Sequence, residues 1–285
     1  MRSISVVMTA YNAENTISEA IESVLKQSFA DFEFIIVNDG STDNTRSIIE
    51  SYNDKRICLI NNNHDYIQSL NIGIAASAGK YIARMDADDI MHIDRLKLQY
   101  SIMEEHPEIT VCSSWAIIFG EKTAKKIYEQ KYSGLIENPL FQLLYEDIII
   151  NPTATIRRSF VEKHHLFYEN YTYAEDFKFW VDAAMLNAIF YIDSQPLVYR
   201  RISDEQISTK HKDIQIETTR KIKRELLNFL CNKYNSSYPV LSALCNSYYE
   251  LSKQKLVSED DIFIVFFNLF IKNKDTFNSL EDSKK

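Results

Sequence analysis

The sequence has few chain-breaking residues: glycine and proline each occupy only five of its 285 positions. This scarcity argues against long disordered linkers. Neither a G-x-G-x-x-G stretch nor a G-K-[ST] stretch occurs. The sequence therefore excludes the glycine-rich phosphate loops of dinucleotide-binding domains and of P-loop nucleotidases.

Cysteine is scarce as well, and the spacings between the four cysteines fit neither a metal site nor a C-x-x-C motif. The N-terminal segment does not have the form of a signal peptide. We therefore expect reduced thiols in a cytosolic protein. The cysteines are Cys58, Cys112, Cys231 and Cys245.

The sequence also lacks a basic excess and a membrane-spanning run. The formal net charge is −8, which argues against wholesale nucleic-acid binding. The longest apolar run, residues 262–271, is half the length of about 20 residues that a transmembrane helix needs. We predict a buried C-terminal helix there, with a helix that dips into a membrane as the alternative.

The first third of the chain alternates between strand and helix patterns. This alternation predicts an α/β fold with a mostly parallel, Rossmann-like sheet flanked by helices. We expect Asn12 or Asn15 to cap the first helix and Ser41 or Thr42 to cap the second. The predicted strands are 3–9, 32–39, 56–62 and 80–86, and the predicted helices are 15–25, 41–52 and 67–77.

The middle of the chain is less regular, and from about residue 210 the pattern is helical to the end. Pro196 predicts a bend or an edge position in the last strand. We predict a first domain over residues 1–209 and a helical region over 210–285. The middle elements are predicted as helices over 94–105 and 173–186, strands over 111–120 and 190–201, and a turn followed by a strand over 151–160.

The stretch "RMDADD" places three aspartates directly after a strand that reads as buried. Asp86 and Asp88 alternate in an extended segment and therefore point to one side. Two carboxylates aimed at one point suit a hard divalent cation, Mg²⁺ or Mn²⁺, whose shell is often completed by substrate phosphates. The alternative is that these residues cap a turn and a helix, with Asp89 as the cap.

Four segments together resemble glycosyltransferase family 2, the inverting GT-A type. They are "VVMTAYNAENTISEAIESVLKQSF", "FEFIIVNDGSTDNT", "LNIGIAASAGKYIARMDADD" and "YAEDFKFW". Their order and spacing match the family, and the resemblance covers roughly residues 1–208. It implies a GT-A fold with a C-terminal helical extension.

The resemblance also implies roles for individual residues. Tyr11 would lie against a uracil base and Asp39 would hydrogen-bond to it, while Asp88, with Asp86, would bind the metal at the diphosphate. Asp176 would be the general base; the alternative for Glu175 and Asp176 is a charged first turn of a helix. The implied nucleotide-binding residues are Thr9, Ala10, Tyr11, Glu14, Asp39, Asn71, Arg84, Asp86 and Ala87, and Glu175, Trp180 and Asn151 would contact the acceptor or support the site.

The sequence departs from the family at two histidine positions and in the loop before Asn71, which lacks the glycine that relatives often have. Many relatives carry histidine at the positions of Asn151 and Ser203, which leaves fewer metal or phosphate ligands here. Water or Asp204 would have to substitute for them. The two histidines nearest the expected cleft, His64 and His92, read as solvated loop residues.

The segment 210–224 is rich in lysine and arginine, with only Asp213 and Glu217 to balance them. One interpretation is a basic helix on an anionic lipid surface, and the other is an ordinary solvated helix face. The resemblance favours a cytoplasmic enzyme with peripheral contact to the inner membrane face and a polyprenyl-linked acceptor. The basic residues are Lys210, Lys212, Arg220, Lys221, Lys223 and Arg224.

The function expected from these features is inverting transfer of a sugar from a nucleotide sugar to a hydroxyl of a glycan or lipid-linked saccharide. The donor would be a UDP-hexose or UDP-N-acetylhexosamine, and the product an O-antigen, a capsule or a related polysaccharide. One alternative is an inactive relative that acts as a scaffold. A sugar-phosphate nucleotidyltransferase is another, although "MTAYNAEN" lacks the glycines that its phosphate loop needs.

Overall fold

The computed structural model describes residues 2–120, 123–128, 132–136, 138–202 and 211–282. These residues pack as two compact units. The sheet unit comprises the described residues within 1–136, 149–170 and 188–210, and the helical unit those within 137–148, 171–187 and 211–285. The domain boundary predicted at 209/210 divides the sequence, whereas these units are defined by packing. The predicted boundary therefore stays a prediction.

All ten strands of the described chain belong to the sheet unit, where they form one sheet. Its main order is β3-β2-β1-β4-β9-β6-β10-β5, with β7 paired to β6 and β8 to β10. The strands are β1 (Ile4–Ala10), β2 (Phe32–Asn38), β3 (Ile57–Asn61), β4 (Tyr81–Asp86), β5 (Ile90–Met91), β6 (Val111–Gly120), β7 (Thr123–Tyr128), β8 (Gly134–Ile136), β9 (Thr155–Arg157) and β10 (Phe190–Arg201).

The described helices are divided between the units, and none of them is long and apolar enough to cross a membrane. α5 and α7–α11 belong to the helical unit. The helices are α1 (Ile17–Leu25), α2 (Thr45–Glu50), α3 (Tyr66–Ala76), α4 (Arg95–Glu105), α5 (Pro139–Tyr145), α6 (Arg158–His164), α7 (Glu175–Met185), α8 (Lys212–Tyr234), α9 (Val240–Lys253), α10 (Glu259–Lys272) and α11 (Lys274–Asp282).

The parallel arrangement holds for the first four strands, as the alternating pattern predicted. β1 runs parallel to both β2 and β4, and β2 runs parallel to β3. All seven residues of β1 are buried, as expected for a central strand with both faces covered. The second half is mixed, because β9 is antiparallel to β4 and β6 whereas β6 and β10 are parallel.

The predicted caps of α1 and α2 are wrong. Thr16 and Asn44 occupy these N-cap positions. Asn12 has φ 46°, and its Oδ1 accepts a hydrogen bond from the backbone N–H of Thr42 at 2.9 Å. The polar residues after β1 and β2 therefore join two loops to each other instead of capping their own helices.

One prediction for the middle of the chain needs correction. The turn predicted at the start of residues 151–160 is confirmed as a 3-10 turn over Asn151–Thr153, but the strand predicted after it covers only Thr155–Arg157, because α6 begins directly after β9. Pro196 pairs with Trp115 of β6, and it lies between the residues of β10 that pair with β8 (190–192) and with β5 (198–199) on the other side of the strand. The bend is correct, since the pairing register shifts on both sides of Pro196.

Candidate active site

The carboxyl ends of β1, β2 and β4 meet at one edge of the sheet. Thr9 lies opposite Asp86 in the β1–β4 pairing, and Ala10 lies opposite Asn38 in the β1–β2 pairing. Asp39 follows directly, and its backbone N–H donates to the carbonyl of Ala10 at 2.8 Å. Ligands of open parallel sheets bind beyond this edge.

The loop after β1 is held by the loop after β2. The backbone N–H of Ala13 donates to Thr45 Oγ1 at 2.7 Å, and Glu14 Oε2 accepts from the backbone N–H of Asn44 at 3.0 Å. The carboxylate of Glu14 thus helps to hold the loop after β2. Its role in nucleotide binding stays a prediction.

Asp39 is a buried carboxylate at the base of this edge, with only 2% of its surface exposed. Its Oδ1 accepts hydrogen bonds from the backbone N–H of Asp65 at 2.8 Å and from Ser69 Oγ at 2.7 Å. Its Oδ2 lies 3.4 Å from Nδ1 of His64. One oxygen is therefore committed to holding α3, while the other faces an exposed ring.

That ring is stacked on Tyr11. The ring centroids of Tyr11 and His64 are 4.1 Å apart, with an interplanar angle of 24°. Tyr11 is 45% exposed and the His64 side chain 61% exposed. The sequence predicts a solvated loop position for His64 and gives no sign of this contact with Tyr11. A run of polar residues after β3 carries no periodic signal that could have predicted it.

The side chain of Arg84, in β4, contacts several residues at the same sheet edge. Its guanidinium is buried, and Nη2 lies 2.8 Å from Asp86 Oδ1, 3.2 Å from Thr9 Oγ1 and 3.5 Å from the Tyr66 hydroxyl. Burial works to lower the pKa of Arg84, but Asp86 and the nearby tyrosines outweigh it and the pKa is raised. Arg84 is therefore a fixed positive charge that orients Asp86.

Three carboxylates cluster after β4, with one oxygen of each within 4.8 Å of the others. They belong to Asp86, Asp88 and Asp89. The cap expected of Asp89 is wrong: Asp94 occupies the N-cap position of α4, and Asp89 Oδ1 accepts from the backbone N–H of Arg201 at 2.8 Å. Arg201 Nε also donates to the carbonyl of Asp88 at 2.9 Å, so β10 fixes this turn.

The acidic cluster fits a divalent cation. Asp89 is 2% exposed, and its Oδ2 is buried without a hydrogen-bond partner in the described chain. Burial, together with Asp86 and Asp88, raises the pKa of Asp89 well above its usual range. A bound cation would reduce the repulsion among the three carboxylates and give Asp89 Oδ2 a partner. An all-oxygen donor set suits Mg²⁺ or Mn²⁺.

Three other predicted site residues have distinct surroundings: Asn71 and Ala87, expected near the nucleotide, and Asn151, expected to contact the acceptor or support the site. Both groups of the Asn71 amide bind the backbone of Tyr168: Nδ2 donates to its carbonyl at 2.9 Å and Oδ1 accepts from its N–H at 2.8 Å. Asn151 Oδ1 is buried and has no hydrogen-bond partner in the described chain. Ala87 lies half-buried within the acidic turn. The roles of all three stay predictions, and Ser203 and Asp204 lie outside the described residues.

In the helical unit, Glu175 and Asp176 form the first turn of α7. Both are half-buried, and Asp176 Oδ1 accepts from the backbone N–H of Phe177 at 2.7 Å. Trp180 is 2% exposed and packs edge-to-face on Phe179. The expected roles of Asp176 as base and of Glu175 and Trp180 near the acceptor stay predictions.

The basic residues of α8 have partners within the helical unit. Arg220 forms ion pairs with Asp260 at 2.7 Å and Arg224 with Glu259 at 2.8 Å. Lys223 Nζ donates to the carbonyl of Tyr145 at 2.5 Å. Several charges that suggested a lipid-binding face are thus used to hold α8 against α10 and α5.

Residues 5–165 match the family described as Glycosyl transferase family 2. A Haemophilus influenzae protein named as an uncharacterized glycosyltransferase is 35% identical to this chain, over 97% of the chain and 88% of that protein. The chain therefore belongs to glycosyltransferase family 2, and its enzyme class is that of a glycosyltransferase.

One further relative and one solved structure add detail. The Escherichia coli protein WfgD, named UDP-Glc:alpha-D-GlcNAc-diphosphoundecaprenol beta-1,3-glucosyltransferase, is 29% identical over 74% of this chain and 82% of its own length. The crystal structure of S. aureus TarS 1–349 in complex with UDP-GlcNAc has a TM-score of 0.65 at 22% identity, covering 82% of this chain and 73% of that one. The likeness to TarS supports the expected GT-A fold.

Proposed function

We propose that the protein is a metal-dependent, inverting glycosyltransferase that uses a UDP-sugar, a UDP-hexose or UDP-N-acetylhexosamine. One observation carries this proposal: a buried carboxylate beside an exposed aromatic ring and a cluster of three carboxylates lie at the ends of strands joined through β1. This arrangement suits a ligand with a base at one end and a diphosphate at the other.

In the proposed complex, the base stacks on Tyr11 and donates an N–H to Asp39 Oδ2. Thr9 and Ala10 border the ribose and diphosphate, and Arg84 sets the orientation of Asp86 from beneath. Asp86 and Asp88 hold Mn²⁺ or Mg²⁺. When bound, this ion would act as a Lewis acid on the diphosphate leaving group.

The chemical step that we propose is a single displacement. The acceptor hydroxyl oxygen bonds to the anomeric carbon as the bond from that carbon to the diphosphate oxygen breaks, and Asp176 takes the hydroxyl proton. One base without a carboxylate nucleophile gives inversion at the anomeric carbon, in contrast to the paired carboxylates of retaining glycosidases. The chain's own contribution is thus positioning and one proton transfer.

The donor and acceptor classes are proposed from the relatives. The UDP-GlcNAc complex of TarS supports a UDP-sugar donor, and the name of WfgD supports a lipid-linked saccharide acceptor. Polysaccharide synthesis of the O-antigen or capsule kind follows from such an acceptor. We propose a cytoplasmic location, with the acceptor rather than a basic helix bringing the enzyme to the membrane.

Calorimetric titration of UDP, GDP, CDP and dTDP, with Mn²⁺ and then with EDTA, tests this proposal. We expect Mn²⁺-dependent binding with a preference for UDP, followed by slow metal-dependent hydrolysis of the matching UDP-sugar. Binding of none of these nucleotides would favour an inactive scaffold. Release of pyrophosphate from a nucleoside triphosphate would favour a nucleotidyltransferase.

A further inference from the structure

A flat ring already lies on Tyr11, where the proposed function requires the nucleobase to stack. The imidazole of His64 covers the phenol ring at a centroid distance of 4.1 Å and an angle of 24°. Stacking of this kind stabilises aromatic pairs beyond the area that they bury. A base that stacks on the same face of Tyr11 must therefore replace this contact.

The same imidazole also meets the polar group that would recognise the base. Asp39 Oδ1 is already bound by Asp65 N–H and Ser69 Oγ, so Oδ2 is the oxygen that can accept from a ligand. Nδ1 of His64 lies 3.4 Å from this Oδ2 and 3.2 Å from the Asp39 carbonyl. The imidazole thus stands at both contacts expected of uracil: a stack on Tyr11 and a nitrogen facing Asp39.

We infer that His64 occupies the nucleobase subsite of the unliganded protein and that the incoming base must displace it. This inference rests on the proposed function, because it assumes that Tyr11 and Asp39 receive a base. Imidazole and uracil are both planar rings that carry an N–H donor, so both can satisfy a tyrosine face and a carboxylate oxygen. They cannot do so at the same time, and His64 therefore acts as an internal competitor.

The surroundings of His64 allow the ring to leave while the loop stays in place. The His64 side chain is 61% exposed. Its backbone neighbours are fixed: Asp65 N–H binds Asp39, and Asn62 N–H donates to the Asn38 carbonyl at 2.9 Å. A rotation about the side-chain bonds therefore opens the subsite without breaking the contacts between loops.

Internal competition lowers apparent affinity by the fraction of molecules whose subsite is open. Removal of the ring should therefore strengthen UDP binding by about three- to tenfold, the range expected from one partly exposed aromatic pair. The opposite is expected if His64 serves as a wall that supports the base, because its removal would then weaken binding.

The test is calorimetric titration of UDP with Mn²⁺ into the parent, His64→Gly, His64→Asn and Tyr11→Ala. Glycine and asparagine both tolerate the φ of 47° at this position, so the loop should keep its shape. We expect tighter binding by both His64 variants and weaker binding by Tyr11→Ala. His106→Ala, which changes an exposed histidine that contacts Glu108, should match the parent.

Two outcomes would overturn the inference: weaker or equal UDP binding by both His64 variants, or an NMR signal of the His64 ring that stays at its Tyr11-stacked position in the UDP complex. Failure of the proposed function looks different, because then neither the parent nor any variant would bind UDP, GDP, CDP or dTDP. That result would overturn the inference as well. Binding by the His64 variants alone would support it.

Discussion

The two units of the molecule differ in how far their charged side chains are paired. At the edge of the sheet, three carboxylates lie within 4.8 Å, and one buried oxygen of Asp89 has no hydrogen-bond partner in the described chain. In the helical unit, arginines of α8 meet acidic residues at the start of α10. Arg84 pairs with Asp86 at 2.8 Å, but the cluster as a whole is only partly neutralised, which points to a ligand, whereas the paired charges of the helical unit stabilise its packing.

Asp176 tests this comparison most directly, because it lies in the helical unit and yet we propose it as the general base. Asp176→Asn should lower sugar transfer by about a hundredfold to ten-thousandfold, the usual range for a lost general base. UDP affinity should be unchanged. Steady-state transfer and UDP calorimetry would measure the two effects, with Glu175→Gln as the matched neighbour in the same helical turn. Unchanged turnover of Asp176→Asn would leave it as a charged first turn only.

Asp88→Ala should abolish the Mn²⁺ dependence of UDP binding. Loss of one ligand from the proposed metal site, which has few protein ligands, should remove most of its affinity, whereas the proposed base contacts at Tyr11 and Asp39 remain. Titrations with Mn²⁺ and with EDTA should then give the same, weaker affinity. Asp31→Ala is the control, since this exposed carboxylate precedes β2 at the opposite end of the strand. A metal response equal to that of the parent would rule out Asp88 as a ligand.

Gly40→Ala should destabilise the sheet unit through the loop that follows Asp39. Gly40 has φ +72°, and an added Cβ would lie 2.9 Å from the backbone nitrogen of His64. We expect a loss of about 1–2 kcal/mol in the free energy of unfolding from the left-handed conformation, and more from the clash. Urea unfolding would measure it.

Gly134→Ala separates the two causes, because Gly134 has φ +80° but nothing within 4 Å of the added Cβ. The difference in unfolding free energy between the two variants should measure the cost of the clash with His64. Equal losses of unfolding free energy would mean that the clash between the added Cβ and the backbone of His64 contributes nothing.

Arg220→Ala should have the smallest effect. Its guanidinium makes two hydrogen bonds to Asp260, but the two side chains are 34% and 54% exposed. Solvent screening limits such a pair to about 1 kcal/mol or less, measurable by thermal unfolding. Sedimentation with anionic vesicles should be unchanged. A fall in vesicle binding larger than that of Lys212→Ala would restore the lipid-surface interpretation of α8.

Local patterns were enough to predict the first half of the sheet unit. Apolar runs and helical spacing predicted the first four strands and three helices to within a few residues, because the strands are short apolar runs and the helices place apolar residues at helical spacing. They failed at residues 151–160, where "NPTATIRRSF" mixes strand-forming and helix-forming residues and packing against β4 and β6 selects a three-residue strand.

By itself, the sequence determined that the chain is an α/β protein and that Asp39, Asp86 and Asp88 follow strands at one sheet edge. These conclusions need only the alternation of local patterns and the direction of parallel strands. Only the tertiary structure decided that Asp89 is held by Arg201, that His64 stacks on Tyr11, and that the arginines of α8 pair with α10. Each of these contacts joins residues from different elements, and no periodic pattern records which loops and helices will meet.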